Sequence, residues 1–82
     1  MKILVVDDDP MVLEVLKHSL AHTGYDDVTV AQSAVEASQI IAKANPAFEC
    51  LLLDMSMPEI EGDDLCYWVR QLPQYASTPL LM

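Results

Sequence analysis

Asp7, Asp8 and Asp9 follow directly on the apolar run Ile3-Leu4-Val5-Val6, and Asp54 follows directly on another, Cys50-Leu51-Leu52-Leu53. Both runs are continuously apolar rather than alternating, the pattern of a strand buried on both faces of a parallel sheet. Ligands of such sheets bind at the carboxyl ends of the strands, beside the point where strand order reverses, and that is where Asp7, Asp8 and Asp54 fall. Carboxylates about 4 Å apart repel by roughly 4 kcal/mol per pair at an effective dielectric near 20, so the cluster calls for a cation or a captured proton. A hard divalent ion such as Mg2+ suits it, because that ion takes oxygen ligands octahedrally and keeps several waters. Two carboxylates, a backbone carbonyl and water are then enough. With the charge neutralised, a carboxylate can attack a phosphoryl group and form an acyl phosphate. Asp54, alone at the tip of its strand, is best placed as that nucleophile.

The elements that must position these residues follow from local pattern. Asp9 can cap a helix with Pro10 in its first turn, and Val12, Leu13, Leu16 and Leu20 recur at helical spacing until Gly24 offers a stop. Residues 27–31 read as a second strand. Ser33-Ala34-Val35-Glu36 has the form of a capping box and opens a second helix, with Val35, Ile40 and Ile41 on its inner face and Pro46 just past its end. After the turn-forming stretch 55–62, a third helix is expected from near Gly62. Asp63 and Asp64 suit its first turn, and Leu65, Trp68, Val69 and Leu72 give it one apolar stripe before Pro73. Residues 78–82 open a fourth strand. Strand and helix alternate throughout, which predicts α/β architecture in one domain over residues 1–82, a doubly wound parallel sheet with right-handed crossovers. No repeat, linker or low-complexity tract interrupts it.

Taken together, Ile3-Leu4-Val5-Val6-Asp7-Asp8-Asp9, Leu51-Leu52-Leu53-Asp54-Met55-Ser56-Met57-Pro58, Gly62 four residues after that Pro, and Pro79 leading the fourth strand resemble the receiver domain of two-component response regulators. The resemblance covers the whole chain and implies a flavodoxin-like fold with strand order 2-1-3-4-5. It implies that Asp54 is phosphorylated, that Asp8 and Asp54 bind Mg2+ directly with the Ser56 backbone carbonyl as a third ligand, and that Asp7 helps, often through water. It also implies a histidine kinase or phosphotransfer protein as phosphoryl donor, and a surface that changes on modification to recruit an output domain or partner. Receivers have five strands and five helices, whereas this sequence stops within the fourth strand, before the switch Ser or Thr and the Lys that pairs with the phosphoryl group. The expectation is a receiver comprising strands 1 to 4 and helices 1 to 3, labelled slowly because two charge-stabilising contacts are missing.

Composition narrows the partners. Thirteen acidic and four basic residues give a net charge of −9, which argues against nucleic acid or an anionic membrane as a direct partner. The apolar runs are too short to span a bilayer and no signal-peptide layout is present, so a cytoplasmic protein is expected. Cys50 and Cys66 lack disulfide or zinc spacing and read as small buried hydrophobes. His18 and His22 read as surface residues, Met55, Met57 and Pro58 as turn and packing residues, and Glu59, Glu61, Asp63 and Asp64 as a solvated acidic rim. Leu80, Leu81 and Met82 would make the fourth strand an apolar sheet edge, which predicts a homo-oligomer through it.

Two other readings compete with the acceptor. Val5-Val6-Asp7-Asp8-Asp9 also resembles the nucleophile motif of haloacid-dehalogenase-type phosphatases, with Asp7 attacking and Asp9 as acid/base. Met11 stands where that family has Thr or Val, and no downstream Lys motif follows. The other is a non-phosphorylated pseudo-receiver acting as an interaction module. The sequence is read as a phosphoacceptor and not as an enzyme.

Overall fold

The computed structural model describes residues 1–53 and 61–81. Its elements are β1 (Lys2–Val6), α1 (Pro10–His22), β2 (Asp27–Ala31), α2 (Ala34–Lys43), β3 (Cys50–Leu53), α3 (Glu61–Arg70), a 3-10 turn (Pro73–Tyr75) and β4 (Leu80–Leu81). The strands pair in parallel in the order β2-β1-β3-β4. The chain thus steps from β1 outward to β2, then crosses back past β1 to β3, so strand order reverses between β1 and β3. This is the flavodoxin-like doubly wound arrangement, with α1 on one face of the sheet and α2 and α3 on the other.

Local chemistry sets the helix ends. The Asp9 carboxylate accepts from the Met11 N–H at 2.9 Å and caps α1. At the other end Gly24 has φ 101°, a left-handed conformation that suits glycine, while the Tyr25 and Gly24 amides donate to the carbonyls of Leu20 and Ala21 at 2.8 and 3.1 Å. For α2 the Ser33 hydroxyl accepts from the Glu36 amide at 3.1 Å, and the Glu36 carboxylate accepts from the Gln32 amide at 2.9 Å. The box therefore closes one residue further back than the reciprocal pattern requires.

The two faces of the sheet are unequally covered. The α2/α3 side holds the larger core, with Leu4, Val6, Ile41, Leu51, Leu53, Leu65, Val69 and Tyr75 buried. The Tyr75 hydroxyl also accepts from the Phe48 amide at 3.0 Å, which ties the entry of β3 to the 3-10 turn. On the other side α1 packs over β1 and β2. It buries Leu13 with Ile3, Val5 and Val28.

Several expectations are corrected here. β1 is buried on both faces, but β3 is not: Leu51 and Leu53 are buried while Cys50 and Leu52 are half-buried, because α1 lies over the neighbouring strands. Val35 is 62% exposed, since the buried stripe of α2 runs through Ala37 and Ile41 and leaves Val35 on the outer side of the helix. Val12 stays exposed at the start of α1. The fourth strand is Leu80–Leu81 and does not begin at Thr78, whose amide donates to the Tyr75 carbonyl at 3.3 Å and closes a turn. Met82 lies outside the described residues. Cys50 and Cys66 are half-buried, not buried. Burial pushes the Cys50 thiol up, which disfavours the reactive thiolate.

Candidate functional site

The acidic tract begins where the β1 ladder ends. The Asp7 amide donates to the Ala31 carbonyl at 3.1 Å, carrying the β1–β2 pairing one residue beyond Val6. The chain then turns, with the Asp7 carboxylate accepting from the Asp9 amide at 2.9 Å. Asp7 is 8% exposed and is the buried charged side chain among the described residues. Asp8 and Asp9 are exposed. Three consecutive aspartates therefore do three things: Asp7 turns inward and braces the turn, Asp8 faces solvent beside it, and Asp9 caps α1 through Met11.

The neighbouring strand ends at the same level. Val6 pairs with Leu53 in the parallel register, so the exits of β1 and β3 lie side by side. Asp54 and Ser56, with Met55, Met57, Pro58 and Glu59, lie outside the described residues. Asp64, near the start of α3, is exposed as expected of an acidic rim. His18 and His22 are exposed on α1 and belong to another part of the surface.

Charge is distributed unevenly over the fold. Lys2 begins β1, Lys43 ends α2 and Arg70 ends α3, which places these three cations at the amino edge of the sheet. There the Arg70 guanidinium donates to the carbonyls of Tyr75 and Ala76 at 2.9 and 3.2 Å, and the Lys2 ammonium lies 4.8 Å from the Phe48 ring centroid. The carboxyl edge keeps Asp7, Asp8 and Asp9. Carboxylate oxygens around a partly desolvated site form a hard donor set, which fits Mg2+ and not a soft metal. Among the described residues no group of three or more His, Cys, Asp or Glu is gathered. Asp7 and Asp8 thus stand at the carboxyl edge as oxygen donors of the hard class.

Sequence marks Asp9 as the cap of α1, with a phosphatase-like nucleophile motif over Asp7 and Asp9 as the competing reading. The Asp-x-Asp pattern suits a nucleophile paired with an acid/base, but Asp9 is engaged in its helix cap. The signal for the cap was present in Pro10, which prefers the first helical position.

Comparison with known proteins adds independent findings. The family model described as the response regulator receiver domain matches residues 3–82. A chemotaxis protein CheY homolog of Campylobacter jejuni is 38% identical over 82 residues, covering 100% of this chain and 62% of the relative. The chemotaxis protein CheY1 of Helicobacter pylori is also 38% identical over 82 residues, covering 100% of this chain and 65% of the relative. Among solved structures, the chemotaxis response regulator CheY4 of Vibrio cholerae superposes with a TM-score of 0.88 at 34% identity, covering 99% of this chain and 65% of that one. The chain thus spans less than two thirds of the length of these proteins.

Proposed function

The chain belongs to the response regulator receiver domain family, and from that premise we propose that it accepts a phosphoryl group on Asp54 from a histidine kinase or phosphotransfer protein. The observation that carries this reading is the parallel pairing of Val6 with Leu53. It sets the exit of β1, which carries Asp7 and Asp8, beside the exit of β3, whose next residue in the sequence is Asp54.

In the proposed reaction an Asp54 carboxylate oxygen forms a bond to phosphorus as the bond from phosphorus to the donor's imidazole nitrogen breaks. The imidazole leaves with the electron pair and takes up a proton. Asp7, Asp8 and Asp54, with the Ser56 carbonyl, are the residues that would hold Mg2+. When bound, that ion offsets the charge of the carboxylates and of the transferred group. Asp7 keeps its place through the Asp9 amide, so the acidic turn is braced before any ligand arrives. The chain acts here as an acceptor and not as a turnover enzyme, in an environment we take to be cytoplasmic.

Labelling by a small acyl-phosphate donor tests the proposal. With millimolar Mg2+ the expected product is one hydroxylamine-labile phosphoryl group per chain, and chelation of the metal should suppress it. A folded protein that takes no label with Mg2+ present would instead be an interaction module of the same fold. Metal binding has its own readout. At ten times the dissociation constant, a ligand specific for the folded state adds about 1.4 kcal/mol of stability, which in a domain this small raises Tm by roughly 6–11 °C. The rise is expected with Mg2+ and should vanish in Asp8→Ala; an equal rise in that variant would mean that the ion acts elsewhere.

Self-association is the remaining partner we propose. In the described sheet β4 is an edge, Leu81 is 57% exposed, and Cys50 and Leu52 beside it are half-buried. Burial of such surface contributes about 25 cal/mol per Å² of apolar area, and an open strand edge offers backbone donors and acceptors to a second copy. Light scattering over a concentration series should show a mass rising toward the dimer, and Leu81→Lys should lower it. A well-folded monomer at high micromolar concentration would exclude this assembly.

A further inference from the structure

Away from the acidic edge, the last two turns of α1 carry His18 and His22 at i and i+4, a spacing that puts both rings on one side of the helix. The rings lie beside each other, with centroids 6.3 Å apart and planes 24° from parallel. Both side chains are exposed, and with Ser19 and Thr23 they line an open concavity of about 380 Å³. We propose that His18 and His22 form a two-nitrogen chelate for a borderline divalent ion of the Cu2+, Ni2+ and Zn2+ group.

The geometry needs little adjustment. Two imidazoles sharing one ion at a metal–nitrogen distance of about 2.0–2.1 Å and an angle of about 90–110° have centroids about 4.5–5.3 Å apart, so rotations of two exposed side chains by about an ångström at the rings close the pair from 6.3 Å. The backbone beneath them is held in place. The Thr23 hydroxyl donates to the carbonyls of Leu20 and Ser19 at 3.0 and 3.3 Å, and the Gly24 turn fixes the end of the helix. His22 lies in the last turn of α1, where the negative end of the helix dipole favours a cation. Imidazole nitrogen selects Cu2+, Ni2+ and Zn2+ over Mg2+, and affinity along the divalent series peaks at Cu2+. Since no group of three or more ligating side chains is gathered among the described residues, water completes the coordination.

Such a clip would matter to α1 in particular. This helix buries only Leu13 fully, with Leu16 and Leu20 half-buried behind it, so its carboxyl-terminal half is lightly held. One ion bridging His18 and His22 ties successive turns together and stabilises that half by mass action.

The test uses the full chain in saturating Mg2+, so that the carboxyl edge takes its preferred hard ion and the outcome does not depend on the phosphoacceptor reading. Cu2+, Ni2+ and Zn2+ are titrated calorimetrically, and Tm is measured with and without each metal, for wild type, His18→Ala and His22→Ala. The expected result is one ion per chain with Cu2+ tightest, an upward shift in Tm, and affinity reduced at least about tenfold in either variant because each loses the second, locally concentrated ligand. The paramagnetic resonance spectrum of the Cu2+ complex should show two imidazole nitrogens in wild type and one in each variant. Either variant binding Cu2+ as tightly as wild type, or a wild-type spectrum with one nitrogen, would overturn the proposal. Both substitutions are at exposed positions and favour helix, so metal-free Tm should stay close to that of wild type.

Discussion

In Asp54→Asn, labelling by a small acyl-phosphate donor is expected to fall to background, a loss of at least about a hundredfold. The carboxamide keeps the size of the side chain but has no anionic oxygen to attack phosphorus, and it binds a hard cation more weakly than a carboxylate does. Asp8→Asn and Asp7→Asn should retain the nucleophile and lose metal charge. Changing residues that merely support metal ligands costs about 10–100-fold, so each of these variants should label at least about tenfold more slowly at limiting Mg2+, and excess Mg2+ should recover part of the rate. Asn is the informative substitution at position 7 because its amide oxygen can still accept from the Asp9 amide. Asp7→Ala would instead leave that N–H without its acceptor, mixing a folding defect with a loss of charge. Unchanged hydroxylamine-labile label in Asp54→Asn would place the phosphoryl group on another carboxylate and overturn the assignment.

Leu51→Ala is expected to cost about 2–5 kcal/mol, the range for removing a fully buried leucine side chain. A chain of 82 residues has roughly 4–12 kcal/mol of stability in all, so this one change should leave a large unfolded fraction near body temperature. Leu51 is 0% exposed and pairs with both Leu4 and Leu80 within the larger of the two cores. Leu52, the next residue, points to the face that α1 leaves partly open, and Leu52→Ala should cost about 1 kcal/mol. Denaturant titrations of the two variants measure the asymmetry of the sheet directly. Equal losses at low protein concentration would show that the β3 side of the α1 face is fully covered. A loss at Leu52 that grows with protein concentration is the signature of the second copy proposed above.

Sequence alone determined the parts of this protein whose causes lie within a few residues. The ends of α1 and α2 were legible because Asp9 before Pro10, Ser33 before Glu36, and Gly24 each meet a local hydrogen-bonding or dihedral requirement. β1, β2 and β3 were legible as short β-rich segments, and Asp7, Asp8 and Asp54 as acids at strand ends, because apolar run and polar break are adjacent in the chain. Tertiary structure decided whatever depends on which segments become neighbours. The pairing of Val6 with both Ala31 and Leu53 brings together segments separated by dozens of residues and sets the exits of β1 and β3 side by side. Whether Cys50 and Leu52 are covered depends on where α1 lies, and the exposure of Val35 depends on which side of α2 meets the sheet. The separation of Asp7 from Asp8 and Asp9 is likewise positional. Three identical side chains have the same intrinsic chemistry; Pro10 already marks Asp9 as the cap, and the turn after β1 decides that Asp7 is buried while Asp8 meets solvent.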